Sequence, residues 1–311
     1  MLMTRTRSRD FEVTLPPALR RLGATTRASV TGPEDAPLIV ILGGISGNRA
    51  LCGAKGWWPG LVGAGGAVDP ARHRVLGLDF AADATGKSAP STHEQAHVLV
   101  AALDAVGARK AHAIVGASYG GMVALALAEQ FPERVERLVV ISASAAPHPA
   151  ATATRELQRR VVALGLATGK SEEALSIARG MAMLTYRTPA EFEARFKGGI
   201  PCDDPVGCSD PGAYLRARGD AYPAVMSPER FLSLSASLDR HQIDPANITA
   251  PALLIGASSD QLVPPAQMRA LADALGGPAE LHLLDCLYGH DMFLKEATVI
   301  GALAGPFVDA A

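Results

Sequence analysis

Cysteine is scarce in this 311-residue chain, and its four copies, Cys52, Cys202, Cys208 and Cys286, are scattered without a CxxC pair. That spacing indicates neither a disulfide framework nor a zinc ribbon, and it predicts reduced thiols. Charge of one sign is missing as well: 29 Lys and Arg against 31 Asp and Glu leave a formal net charge of −2. A balance so near neutral offers no broad electrostatic footprint for nucleic acid or an anionic membrane, so the expected partners are small molecules. Long apolar runs are absent too. No stretch approaches the roughly 18 uninterrupted apolar residues of a membrane-spanning helix, and no apolar segment follows the arginines of the opening MLMTRTRSRD. The expectation is a cytoplasmic protein with a frayed, arginine-rich tip.

What is present is an ordinary globular composition, 48% hydrophobic and 19% charged. The length suits a single α/β domain carrying an insertion. Short apolar runs recur at LIVILGG (38–44), HRVLGLDF (73–80), AHAIVGA (111–117), VERLVVISAS (135–144), PALLIGAS (251–258) and ELHLLDC (280–286). Near-continuous hydrophobicity without alternation is the mark of strands buried on both faces of a parallel sheet. Helical stretches at 93–107 and 119–131 separate three of them, which predicts an α/β fold with a doubly wound, mostly parallel sheet and helices on both faces.

That rhythm stops between about Ala150 and Asn247. SEEALSIARGMAML offers Ser171 as a helix N-cap, and SPERFLSLSASLDR offers Ser227 with Pro228 at the first helical position. GGIPCDDPVGCSDPG (198–212) marks a loop between them. The expected division is a core of residues 1–150 and 248–311, with a helical lid over 151–247. That lid covers the carboxyl edge of the sheet, where open α/β sheets bind ligands.

Gly116-Ala117-Ser118-Tyr119-Gly120 fits G-x-S-x-G between a predicted strand and a predicted helix. In that setting the serine sits on a sharp turn where bulky neighbours would collide, and the helix N-terminus can stabilise an oxyanion. Such a serine needs an acid and then a histidine, in that chain order. Asp260 and His290 each follow a predicted strand, on the same edge as Ser118. Asp285 is the rival acid, but it stands at the end of its strand only five residues before His290. His290 would act as base and Asp260 as its orienter. The oxyanion donors expected are the amide of Tyr119 and that of Gly44 or Ile45 in GGISGN.

Two further patterns are weaker. His93-Glu94-Gln95-Ala96-His97 matches H-E-x-x-H, but nothing nearby announces a third zinc ligand, and these residues read as the exposed side of a helix start. Ala81 to Ser88 resembles a loosened phosphate loop, yet it lacks the first glycine and meets Pro90 almost at once. No metal and no bound cofactor are expected.

From about Leu38 to Lys295 the chain resembles the homoserine O-acyltransferase family. The resemblance is carried by GWW followed by GLVGAGGAVDP (56–70), the elbow running into GGM (120–122), MLTYRTPAEFEARF (183–196) and GHDMF (289–293), in that order. It implies an α/β-hydrolase fold and a two-step exchange: acyl-CoA, a co-substrate, acylates Ser118, and L-homoserine then takes the acyl group in a step of methionine biosynthesis. It further implies that Arg187, or a neighbour such as Arg195, holds the amino acid's carboxylate and Asp291 its ammonium. Trp57 and Trp58 lie near the acyl channel on the same likeness, and a homodimer forms through the insertion. Three departures stand out: the chain is shorter, Tyr119 replaces a usual methionine, and GGISGNR replaces a Leu-Thr-Gly segment. The compact form most resembles the branch using succinyl-CoA rather than acetyl-CoA, with Arg49 as a candidate cation for the succinyl carboxylate. A carboxylesterase on the same three residues, and a non-catalytic hydrolase-fold receptor, are the competing readings.

Overall fold

The chain opens with two strands that the apolar runs do not reveal, β1 (Arg9–Thr14) and β2 (Thr25–Thr31). The computed structural model describes residues 8–53, 56–198, 203–207 and 209–310. Cys202, Cys208 and part of the loop expected at 198–212 lie outside the described residues, whereas Cys52 and Cys286 are free, half-buried thiols. The six apolar runs form β3 (Leu38–Leu42), β4 (Arg74–Leu78), β5 (Ala113–Ala117), β6 (Leu138–Ile141), β7 (Ala252–Ala257) and β8 (Ala279–Leu284). One sheet results, in the order β1-β2-β4-β3-β5-β6-β7-β8. The pairings from β4 through β8 are parallel, and those of β1 with β2 and β2 with β4 antiparallel.

Side chains alternate across the sheet with a period of two. Val40, Leu42, Ile114 and Val140 face one core, and Ile39, Ile41, Val115 and Val139 the other. The central strands β3, β5, β6 and β7 are therefore apolar and buried at every position. The first core takes α1 (Thr92–Ala105) and α2 (Tyr119–Gln130). Between β6 and β7 come α3 (Pro149–Thr168), α4 (Ser171–Tyr186), α5 (Pro189–Arg195), α6 (Asp210–Asp220) and α7 (Pro228–Asp239), the helical insertion. Next, α8 (Pro265–Ala274) closes the first core, α9 (Met292–Lys295) follows the His290 loop, and α10 (Ala297–Asp309) closes the second. No helix among the described residues is long and apolar enough to cross a membrane.

Local sequence sets the helix starts. Ser227 accepts from the Arg230 amide at 3.2 Å with Pro228 at N1, as expected. For α4 the cap falls one residue earlier than expected: Lys170 is the N-cap and Ser171 the first helical residue, with no side-chain cap. Helix α1 begins in a capping box, Ser91 accepting from the Glu94 amide while Glu94 accepts from that of Ser91. That use of Glu94 dissolves the H-E-x-x-H pattern. His93 pairs with Glu129 at 2.6 Å and His97 meets Gln130, while Gln95, expected on the exposed side, is buried and bonded to both backbone groups of Ala81. In the phosphate-loop look-alike, the Asp83 carboxylate accepts from the amides of Thr85, Lys87 and Ser88. Desolvation alone would raise its pKa, but these bonds outweigh it and hold the group at about 2. The loop's donors are filled by the chain's own anion.

Candidate active site

Why the nucleophile position is flanked by glycines is a matter of distances. A Cβ on Gly116 would lie 2.4 Å from the Gly120 carbonyl oxygen, and one on Gly120 would lie 2.4 Å from that of Leu42. Neither position tolerates a side chain. Ser118 itself adopts φ 53° and ψ −119°, a conformation that costs a non-glycine residue roughly 1–3 kcal/mol. The strain lifts Oγ off the end of β5 at the first turn of α2.

Three parallel strands deliver the partners to the same edge. His290, in the loop after β8, places Nε2 2.8 Å from Ser118 Oγ and Nδ1 2.8 Å from Asp260 Oδ2. Asp260, just past β7, has a fully buried side chain whose other oxygen accepts from the amides of Leu262 and Val263 at 2.9 and 3.0 Å. Asp285 is exposed and accepts from Ser258 instead, which removes it as the histidine's partner. Burial works against a charged His290, but the charge and hydrogen bond of Asp260, with a smaller contribution from Asp291, outweigh it and raise its pKa above the usual 6.5. The histidine is a stronger base than a free imidazole, in contact with the hydroxyl it would deprotonate.

A cavity of about 230 Å³ opens over Ser118 and His290. Gly44 and Ile45, beyond β3, line it, and the amides of Gly44, Ile45 and Tyr119 donate to no acceptor among the described residues. The side chain of Tyr119 faces elsewhere: it is fully buried against Phe80 and shares a hydrogen bond with Ser237 of α7.

The remaining expected residues separate into those at the cavity and those away from it. Asp291 and Trp57 line it. Trp58 stacks on Trp57 but is core, 1% exposed, with its indole N–H on the Phe293 carbonyl. Arg187 is buried and does not line the cavity; Nη1 donates to Glu191 at 2.7 Å and Nε lies 3.3 Å from Asp291. Arg195 stacks over the Tyr214 ring, also away from it. Arg49 points to the far side of its loop, paired with Asp79 at 2.8 Å and Asp10 at 3.0 Å, and lines neither cavity beside Ser118. A guanidinium held by two carboxylates offers little to a third.

One cation that does reach the cavity was missed. Arg179 lines it with its guanidinium between the rings of Tyr186 and Tyr222, 5.2 and 4.8 Å from their centroids, and has no carboxylate partner among the described residues. The signal was available. Arg179 precedes Tyr186 by seven residues and so shares its face of α4, whereas Arg187 is turned away by about 100° per residue. Tyr186 lies against His290, its ring centroid 5.8 Å away. Asp291 and Arg179 thus present opposite charges to one cavity.

Residues 37–297 match the alpha/beta hydrolase fold family. A homoserine O-succinyltransferase of Xanthomonas campestris pv. campestris is 41% identical over 286 residues, covering 89% of this chain and 77% of the relative. The chain belongs to the homoserine O-acyltransferase family. A second member, the homoserine O-acetyltransferase of Deinococcus radiodurans, is 32% identical over 89% of this chain and 84% of its own. The fold matches that of a homoserine O-acetyltransferase from Bacillus anthracis with a TM-score of 0.85 at 17% identity, covering 99% of both chains. Family membership agrees with the resemblance read from GWW, MLTYRT and GHDMF.

Proposed function

We propose that the protein transfers an acyl group from acyl-CoA to the side-chain hydroxyl of L-homoserine through an ester on Ser118, a step of methionine biosynthesis. The observation that carries this reading is the combination in one cavity of the Ser118–His290–Asp260 relay with the opposed charges of Arg179 and Asp291. A relay alone suits any ester. A cation and an anion beside it suit the carboxylate and ammonium of an amino acid.

In the first half-reaction Ser118 Oγ attacks the thioester carbonyl while His290 Nε2 takes its proton. The amides of Tyr119 and of Gly44 or Ile45 receive the developing oxyanion. Collapse expels the CoA thiolate, which takes the proton from His290. In the second, homoserine's hydroxyl gives its proton to His290 and attacks the seryl ester, and Ser118 departs with that proton. Asp260 fixes the imidazole tautomer and stabilises its charged form throughout. Arg179 takes the acceptor's carboxylate, the role first given to Arg187, and Asp291 its ammonium, with Arg187 holding Asp291 in place. The 41% identity to a succinyltransferase supports succinyl-CoA as donor.

A homodimer through the insertion is part of this reading. Leu157 and Leu164 on α3, and Ile177 and Leu184 on α4, are exposed large apolar residues at sevenfold spacing, one stripe on each helix.

The test is CoA release from succinyl-CoA and acetyl-CoA with and without homoserine. Release that requires homoserine and yields an O-acyl product is expected. Release independent of it, with rapid cleavage of simple esters, would make the protein a carboxylesterase. No labelling of Ser118 by a fluorophosphonate would make it a non-catalytic relative.

A further inference from the structure

Strands β7 and β8 pair in parallel register as far as Ala257 and Leu284, and just beyond them the Ser258 amide donates to the Leu284 carbonyl at 2.9 Å. Past that point the two chains run as separate loops. Asp260 follows its strand closely, while His290 comes later in a longer loop. A side chain takes over where the ladder stops. Ser259 Oγ donates to the Cys286 carbonyl at 2.6 Å and accepts from the Gly289 amide at 3.2 Å.

Two consecutive residues of the acid loop thus hold two consecutive residues of the histidine loop: Ser259 takes the Gly289 amide, and Asp260 takes the His290 imidazole at 2.8 Å. A single bond to a ring nitrogen leaves the ring free to swing about it. A second bond to the residue before the histidine fixes where the side chain starts, so the imidazole reaches both Asp260 and Ser118 from one position. The turn itself is tightly packed. Gly289 adopts φ 55°, and a Cβ there would lie 2.9 Å from the Tyr186 carbonyl oxygen and 3.3 Å from the Thr188 methyl group. From the insertion, the Thr188 hydroxyl donates to the Leu287 carbonyl at 2.5 Å while it caps α5 by accepting from the Glu191 amide at 3.1 Å. That grip lies farther from His290 along the chain and does not involve the acid loop.

We infer that Ser259 is a positioning residue for the relay: its hydroxyl locks the histidine loop to the acid loop and so keeps His290 aligned between Asp260 and Ser118. The inference rests on the relay in the reading above and is independent of which donor or acceptor the site takes. Ser259 lines neither cavity beside Ser118, so it acts through His290 and not on a substrate. The contact it protects also sets the strength of the base. Burial disfavours the charged imidazole, as does Arg155, which lines a smaller chamber beside Ser118 and His290; Asp260, with a smaller share from Asp291, overcomes both. Loosening the contact with Asp260 therefore weakens the base as well as misplacing it.

The experiment measures the rate of Ser118 labelling by a fluorophosphonate, and its dependence on pH, in the wild type, Ser259→Ala, Ser259→Thr and Thr188→Val. Ser259→Ala is expected to slow labelling by about 10- to 100-fold while Tm stays within a few degrees of the wild type. Asp260 raises the imidazole pKa in the wild type, so the acid limb of the Ser259→Ala rate profile should move down toward the ordinary value of 6.5. Ser259→Thr keeps the hydroxyl and should label within about threefold of the wild type. Thr188→Val removes the insertion's grip on the same loop together with the α5 cap, and should lower Tm while changing the labelling rate by less than about threefold. An unchanged rate in Ser259→Ala, a loss that Ser259→Thr fails to recover, a stationary acid limb, or an equal loss in Thr188→Val would each overturn the assignment. The probe needs neither CoA nor homoserine, so those outcomes leave the acyltransfer reading standing. A wild type that is not labelled would instead remove the relay itself, and this inference with it.

Discussion

The sheet edge and the helical insertion meet at Ser118 but are built on opposite terms. On the sheet edge the polar side chains are matched: Ser118 to His290, His290 to Asp260, and Asp260 to two amides. On the insertion side, the charged groups that reach the cavities are left with capacity to spare. Arg179 has two aromatic rings and no carboxylate among the described residues, and Arg155 shares one carboxylate with Arg159. A matched relay needs no substrate to hold its geometry, so the edge is preorganised for chemistry. Cations with capacity to spare are free to take a ligand, so on the proposed reading the insertion supplies the choice of substrate. Between them, Tyr222 of the insertion shares a 2.8 Å hydrogen bond with Ser46 of the oxyanion loop.

The widest separation between the two regions should appear on removing the nucleophile. Ser118→Ala is expected to lower kcat by about 10⁴-fold or more and to abolish the acyl adduct, because residues of such a relay act as one unit. Mass spectrometry of protein quenched after mixing with acyl-CoA reads this directly; an adduct surviving on another residue would move the chemistry off the sheet edge. Next in size is a contrast between two arginines of one segment. Arg179→Gln should reduce kcat/KM for homoserine by about 10- to 100-fold while acylation of Ser118 proceeds, since only the acceptor loses a charged bond. Arg187→Gln leaves Glu191 buried without its ion-pair partner and should act first on folding, costing about 3–5 kcal/mol in urea unfolding. Equal loss of both half-reactions in Arg179→Gln would reverse that division.

How much of this was legible in the sequence follows from whether the deciding interaction is local. Strands β3 to β7 announce themselves because burial on both faces leaves runs such as LIVIL with almost no polar position, whereas β8, at the sheet's edge, keeps Glu280 and His282 and shows only through the leucines of ELHLL. Strands β1 and β2 escaped because RDFEVT and TTRASVT carry polar residues on an edge that solvent reaches. The relay was legible because a steric rule fixes the glycines and strand ends fix the other two residues. The cation at the cavity was legible only in part. The seven-residue spacing puts Arg179 and Tyr186 on one face of α4, but which face meets the cavity depends on the rotation of α4 about its axis, which MLTYRT does not encode by itself. Arg49 lies four residues from the oxyanion loop's Ile45, yet Asp79, thirty residues on, turns it away. Trp57 and Trp58 are adjacent and still divide between cavity and core.

The smallest expected effect concerns the tie between the two regions. Tyr119 follows the nucleophile and contributes its amide to the site, while its hydroxyl reaches Ser237 of the insertion, in surroundings so buried that its pKa is pushed up to about 12. If the edge owns the chemistry and the insertion only the selection, the hydroxyl is structural. Tyr119→Phe should then cost about 1–2 kcal/mol of stability, read as a fall of a few degrees in Tm, because Ser237 is left buried with one fewer partner. The amide remains, so the rate of Ser118 acylation should change by less than about threefold. Adding Ser237→Ala should cost less than the sum of the two single changes, since both remove the same bond. A large drop in acylation rate at unaltered Tm would mean that the insertion reaches into the oxyanion site through this ring, and the two regions could no longer be assigned separate tasks.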